Sequence, residues 1–328
     1  MTDPAAPFLL LPSCKDYLWG GNSLASLFGK RGGPERIAES WELSVHPDGE
    51  SVIAGGPFRG ETLSAFLETH PGAAGTAVPP GREFPLLVKL IDAAESLSVQ
   101  VHPDEGYARR EEGDRGKTEM WYVIRRDPGA FLYCGFSRPV TRGEVERRIR
   151  EGTLPEILRS VPVEPGDVFF IPAGTIHAVG GGIVLAEVQE SSNITYRVFD
   201  YGRAGADGRP RPLHVGKALD VLRMERGCPP PPGGEEEYRP VQGGMLRLLC
   251  SCPSFSCELL KLQGRFRRGL GEESFLSLLC IGGEALLSAP GGKLGIGTGD
   301  SAFVPAGRRE LLLEGRGEFL LTFPGRPQ

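Results

Sequence analysis

Histidine is scarce in this chain: five in 328 residues, at positions 46, 70, 102, 177 and 214. Any imidazole chemistry must draw on these five. No apolar run approaches the 18 residues of a membrane-spanning helix. The opening stretch MTDPAAPFLLLPSCKDYLWG has an apolar run of four residues and no basic segment before it, so it does not read as a secretory signal. Basic charge is not in excess. Lys and Arg number 37 against 42 Asp and Glu, a net charge of −5, which argues against a general nucleic-acid binder. An anionic substrate then needs locally placed Lys or Arg. There is no phosphate-cradling P-loop, since the GGG at 180–182 lacks a following Lys-Ser/Thr. The seven cysteines are odd in number and scattered, which suits a reducing cytoplasm better than a disulfide framework. Cys250-x-Cys252 with Cys257 lacks the C-x-x-C spacing of a zinc site. Its flanks, LRLLCSC, read as core strand.

What is plentiful is glycine (47) and proline (29), about twice their usual share and without a collagen period. That excess means many tight turns between short strands. Strands are predicted at FPLLVKLID, EMWYVIR, GAFLYCGF, DVFFIPAG, GIVLAEVQE and ITYRVFDY, then at LRLLCSC, FLSLLCIGG, GEALLSAP and GEFLLTF. Short helices are predicted after Asn22, over ETLSAFLETH, after the capping box Thr141-x-x-Glu144, and over RPLHVGKALDVLR. The stretch GCPPPPGGEEE, 227–237, reads as a linker between a catalytic domain, 1–226, and a smaller C-terminal one, 238–328. A repeat supports that division. GDVFFIPAG at 166–174 and GDSAFVPAG at 299–307 share six of nine positions, so one β-turn-β unit is used twice, in two related β-barrels. The first copy continues TIHAVGGG and the second RRELLLEG. The histidine is present only in the first, so metal chemistry is expected there and not in the C-terminal barrel.

One strand asks for a chemical explanation. In SLSVQVHPDE, Ser98, Gln100 and His102 fall on one face and Val99 and Val101 on the other. Further along, GKTEMWYVI places Lys117, Glu119 and Trp121 on one face, and His177 follows the first PAG turn. An isolated His-Pro is usually a turn, and an isolated Glu on a strand is usually solvated. Together, Gln100, His102, Glu119 and His177 offer an amide oxygen, a carboxylate and two imidazoles. Such a mixed set suits Zn²⁺, with Fe²⁺, Mn²⁺ or Co²⁺ as substitutes. Gly166-x5-Pro172-x-Gly174-x2-His177 is the second signature of the cupin β-barrel. Gln100-x-His102 followed by Glu119 resembles the first signature, with Gln in place of its usual first His.

The longer motifs are more specific. FPLLVKLIDAAESLSVQVHPDE, GKTEMWYVI, GDVFFIPAGTIHAVGGGIVLAEVQESSNITYRVFDYGR, RPLHVGKALDVL and IAESWELSVHP resemble type I phosphomannose isomerases of the shorter bacterial kind over most of residues 8–225. The C-terminal part matches more loosely, through GDSAFVPAG. The chain has little room for the large helical insertion of the longer members, so a pocket wall must be built differently. The resemblance implies a mainly β fold of two cupin, jelly-roll type barrels with a few short helices. It implies a cytoplasmic enzyme with one zinc per chain that interconverts mannose 6-phosphate and fructose 6-phosphate. It assigns the metal to Gln100, His102, Glu119 and His177, the sugar-phosphate pocket to Ser98, Lys89 and Lys117, and catalysis to Arg197 and Glu187, with Lys117 beside them. No nucleic acid or membrane partner is expected, and the chain should act as a monomer or weak homo-oligomer.

The chemistry has use for such groups. Aldose–ketose isomerisation moves a proton between C1 and C2 through an enediol-like intermediate. It needs a base, a shuttle between two oxygens and stabilisation of an oxyanion. Glu187 shares a strand face with Ile183, Leu185 and Gln189, and a carboxylate among apolar residues has its pKa raised. Glu187 and Arg197, ten residues apart across an SSN turn, are expected on neighbouring strands. Arg203 in DYGR is a further basic candidate. The competing readings are a non-catalytic sugar-binding bicupin and another cupin metalloenzyme, such as a dioxygenase or a glucose-6-phosphate isomerase.

Overall fold

The computed structural model describes residues 6–31, 33, 35–205 and 208–325. The first five residues of the N-terminal stretch considered for a leader lie outside the described residues. Alternation along the strands builds three antiparallel sheets. Leu86–Ala93 and Ile183–Glu190 are buried along almost their whole length, because each face of their sheet meets a different partner. Lys89, Ile91, Leu185 and Glu187 face one way, with Trp121 and Val123. Leu86, Val88, Leu90, Ala186 and Val188 face the other, with Met120 and Tyr122, and pack on Leu249, Phe255, Leu259 and Leu320 of the C-terminal part.

This central sheet has six strands, in the order Val168–Ile171, Glu119–Arg126, Ile183–Glu190, Leu86–Ala93, Glu39–Leu43 and Ser13–Lys15. A five-stranded sheet covers its inner face, in the order Tyr196–Phe199, Val99–Val101, His177–Val179, Phe131–Phe136 and Leu158–Pro162. Trp19, Leu97, Leu132 and Val179 fill the space between them together with Ile91, Trp121 and Leu185. The outer face of the five-stranded sheet is closed by the helices Arg142–Glu151 and Val215–Val221, through Val145, Ile149, Ala218 and Leu219. The sheets form cupin-like sandwiches, in keeping with the mainly β, jelly-roll type fold expected, and do not close into barrels.

The third sheet has nine strands and includes the long strands Phe255–Leu270 and Arg309–Pro324. It also takes in the N-terminal strand Phe8–Leu11, which lies between Ser301–Val304 and Val52–Ile53. A buried ion pair secures the same seam: the Lys30 ammonium is 2.7 Å from the Glu42 carboxylate and 2.5 Å from the Gly299 carbonyl.

The repeated motif forms the same turn twice. Gly166 and Gly299 have φ of +99° and +91°, where a side chain would be strained. The Asp167 carboxylate accepts from the Glu164 N–H and that of Asp300 from the Gly297 N–H, each at 2.8 Å. Thr141 caps its helix as predicted, accepting from the Glu144 N–H. The helix Glu105–Glu111, with Asp104 as its N-cap, was not foreseen. The helix expected from Pro212 starts only at Val215.

Cysteine chemistry departs from expectation. Cys134 and Cys228 form a disulfide that spans 94 residues. An odd, scattered set can still hold one bridge when a tertiary fold brings two thiols together. The backbones at Gly135 and Gly227 approach so closely that a Cβ on Gly135 would stand 2.3 Å from the Gly227 carbonyl oxygen. Cys250, Cys252 and Cys257 are buried free thiols in the core, as their flanks indicated.

Candidate metal centre and substrate cleft

The two facing sheets of the sandwich each supply part of one site. Gln100 sits mid-strand, opposite His177 on one side and Arg197 on the other. His102 follows on the same face. The Gly174 N–H donates to the His102 carbonyl at 2.8 Å, which docks the PAG turn preceding His177 onto the QVH segment. Glu119 reaches in from the central sheet. His102 Nε2 lies 3.4 Å from one Glu119 oxygen and His177 Nε2 lies 3.4 Å from the other. The ring centroids are 4.8 Å apart. Each ring gives its Nδ1–H to a backbone carbonyl, His102 to Ile194 at 2.7 Å and His177 to Thr175 at 2.9 Å. That fixes the tautomer and turns both Nε2 lone pairs inward.

Electrostatics keep both imidazoles in the ligand form. Burial holds the His102 pKa well below 6.5, helped by the Lys117 charge. Burial likewise pushes His177 down to about 3. Both imidazoles are therefore neutral. Burial pushes Glu119 up, and the neighbouring Glu187 charge adds to the shift. Its Oε1 is buried and has no hydrogen-bond partner. Gln100 Nε2 lies 3.3 Å from His177 Nε2, and a half-turn of the amide presents its carbonyl oxygen to the same point. Two neutral imidazoles, an amide oxygen and a carboxylate with an orphan oxygen form a donor set that a divalent cation satisfies. Among the described residues, His102, Glu119 and His177 are the only cluster of His, Cys, Asp or Glu with metal-binding geometry.

A cleft of about 210 Å³ opens from this cluster. Gln100 and Lys117, which touch the cluster, line it together with Lys89, Glu187, Ser98 and Arg197. Every residue singled out for catalysis or substrate binding is therefore at one place. Lys117 Nζ is 3.0 Å from His102 Nε2 and 2.5 Å from Glu119 Oε2. Lys89 Nζ is 3.2 Å from Glu187 and 3.5 Å from Glu39. Burial lowers the Lys89 pKa, but those two carboxylates outweigh it and the net shift is upward.

Two expectations about Glu187 and Arg197 are corrected. They are not on neighbouring strands: Glu187 is in the central sheet and Arg197 faces it from the other. The Glu187 pKa is not raised. Burial pushes it up, but Lys117, Lys89 and the Trp121 indole N–H outweigh burial and hold it well below the usual range. Its strand neighbours are apolar, but the atoms its carboxylate meets are an ammonium and an indole N–H.

Several lining residues were not foreseen: Tyr17, Trp19, Glu39, Asn193, Thr195 and Arg211. Arg211 forms a bidentate pair with Asp200, at 2.6 and 2.7 Å. Arg203 holds the same carboxylate at 2.6 Å but does not line the cleft. Arg197 donates to Ser98 Oγ at 3.3 Å, and its pKa is lowered by burial and by the nearby Arg211 charge. Asp200 thus holds Arg211 in the cleft lining. A basic residue between prolines, RPRP, was the one sequence signal for it.

Fold and site define a class: a cupin enzyme with a candidate metal centre between two facing sheets. Residues 8–121 match the phosphomannose isomerase type I catalytic domain, and residues 247–324 match the mannose-6-phosphate isomerase cupin domain. A mannose-6-phosphate isomerase of Bacillus subtilis is 35% identical over 317 residues, 96% of this chain and 98% of its own length. One from Streptococcus mutans is 38% identical over 260 residues, 79% of this chain and 80% of its own. The crystal structure of the mannose 6-phosphate isomerase from Bacillus subtilis aligns with a TM-score of 0.89 at 32% identity, over 97% of this chain and 99% of that one. The apo form from Salmonella typhimurium, at 19% identity and a TM-score of 0.75, covering 98% of this chain and all of that one, shares the fold. The chain belongs to the type I phosphomannose isomerase family.

Proposed function

We propose that this chain interconverts mannose 6-phosphate and fructose 6-phosphate, with one zinc ion per chain held by Gln100, His102, Glu119 and His177. The observation that carries the reading is the cleft itself. Gln100 of the donor set, the Glu187 carboxylate, Arg197 from the facing sheet and Arg211 from the loop after it converge on a space of about 210 Å³. A bound divalent metal supplies Lewis-acid polarisation of a sugar oxygen. Glu187, kept ionised by Lys117, Lys89 and Trp121, takes the proton from C2 or C1 and returns it to the other carbon. Lys117 donates to the sugar oxygen that gains charge, and Arg197 stabilises the enediolate. Lys89 is engaged by two carboxylates, so it serves the substrate chiefly by fixing Glu187. The phosphate falls to Arg211, with Ser98 beside it: Asp200 takes the Nε and Nη2 donors of the guanidinium, and Nη1 is left for a phosphate oxygen. A cytoplasmic setting goes with such phosphosugars. Among the described residues, no helix is long and apolar enough to cross a membrane.

The test is a coupled assay of mannose 6-phosphate isomerisation beside metal analysis of the same preparation. The reading expects turnover with one metal equivalent, loss on chelation and recovery with Zn²⁺. Stoichiometric metal without isomerisation would favour a sugar-binding or oxygenase cupin instead.

A further inference from the structure

We propose that Trp121 is a positioning residue, whose indole N–H fixes the Glu187 carboxylate at the floor of the cleft. This rests on the reading of Glu187 as the proton-transfer group. Lys89, Glu187 and Trp121 are direct cross-strand partners on three adjacent strands, so they stand in one row. Glu187 has one fixed partner for each oxygen. Lys89 Nζ is 3.2 Å from Oε1, on the cleft side, and Trp121 Nε1 donates to Oε2 at 2.9 Å. Trp121 is 1% exposed and does not line the cleft, so it holds the carboxylate from behind.

An indole N–H only donates, so it binds the ionised carboxylate best. The indole is itself held in place. Its ring meets the His177 ring edge-on, with centroids 5.4 Å apart, and its backbone pairs with Phe169. The arrangement recurs on the other side of Lys89, where Trp41 Nε1 donates to Glu39 at 2.7 Å. Each carboxylate flanking Lys89 is thus fastened by one indole. For packing alone, phenylalanine would serve as well and would leave no buried N–H to satisfy. The second anchor removes the rotation of the Glu187 carboxylate that would carry its oxygen away from the reacting carbons.

Trp121→Phe keeps an aromatic ring and deletes the N–H. At equal metal content, kcat should fall about tenfold or more with KM changed less than about twofold, the scale of one hydrogen bond to a charged group. In the Glu187→Gln background, Trp121→Phe should cost nothing further. Equal losses in both backgrounds, or a wild-type kcat in Trp121→Phe, overturn the proposal. A wild-type kcat in Glu187→Gln is a different failure: the reading of Glu187 then falls and the proposal falls with it. A readout independent of turnover comes from the three tryptophan indole resonances. The Trp121 signal, assigned by elimination with Trp19→Phe and Trp41→Phe, should move upfield and exchange faster in Glu187→Gln, with or without metal. An unmoved signal overturns the proposal, even if Trp121→Phe fails to fold.

Discussion

His102 and His177 each give one ring nitrogen to the backbone and keep the other for the cluster. This has a pH signature. For His177, folded and unfolded pKa values are about 3 and 6.5, and His102 shifts in the same direction. Between those limits the unfolded chain binds more protons, so stability is lost as pH falls below about 6.5. Glu119 and Glu42, shifted up, work in the opposite sense, so the imidazole share is read by difference. The thermal midpoint of the metal-free protein should fall more between pH 7 and pH 4.5 in the wild type than in His177→Gln, measured by calorimetry. Equal falls would mean that the ring is protonated in the folded state. The arginines divide by role. Arg197→Ala should lower kcat by about 10²–10³ with a smaller change in KM, as for a lost oxyanion donor, and Arg197→Lys should recover only part. Arg211→Ala should mainly raise KM and weaken inhibition by inorganic phosphate. Steady-state kinetics at checked zinc content separate the two. A raised KM at unchanged kcat in Arg197→Ala would move that residue to the phosphate.

Much of the site was legible at the level of the element. A strand fixes which side chains share a face, so Gln100 with His102 and Lys117 with Glu119 could be read two residues apart. The PAG turn announced His177 because its glycines and aspartate have backbone tasks. Pairing between distant strands was not legible, since it is set by tertiary packing. Hence Glu187 and Arg197 proved to face each other across a cleft, and Trp19, Glu39 and Arg211 went unnoticed. The Cys134–Cys228 bridge was hidden for the same reason. Cys134 is the direct strand partner of His177, and Cys228 lies within the stretch read as a linker. Closing a loop of 94 residues constrains the unfolded chain. Cys228→Ser, or reduction, should lower stability by about 2–4 kcal/mol in denaturant titrations. A midpoint equal to that of the oxidised protein would show that the close approach of Gly135 and Gly227 suffices without the bond.

At the scale of the whole molecule, the central sheet belongs to two cores at once. One face carries the cleft and the other is the floor on which the C-terminal sheet packs. The Lys30–Glu42 pair lies at this junction, with Glu42 fully buried. Burial pushes the Glu42 pKa up and Lys30 opposes it. Lys30→Met should destabilise the fold by about 3–5 kcal/mol, because it strands a buried carboxylate, and Lys30→Met/Glu42→Leu should regain much of that loss. Chemical denaturation of the single and double variants checks it. No recovery in the double variant would assign the loss to the Gly299 contact instead.

The placement of Phe8–Leu11 in the far sheet also sets a timetable for biosynthesis. Its hydrogen-bonding neighbour, Ser301–Val304, is translated far later, with Leu10 paired to Ser301. At about 5–20 residues per second, this strand waits roughly 15–60 s for its mate. Throughout that interval a stretch of FLLL is without the strand that will cover it. The nascent chain is thus a natural client for a chaperone at the exit tunnel, and its two halves mature together, not in sequence.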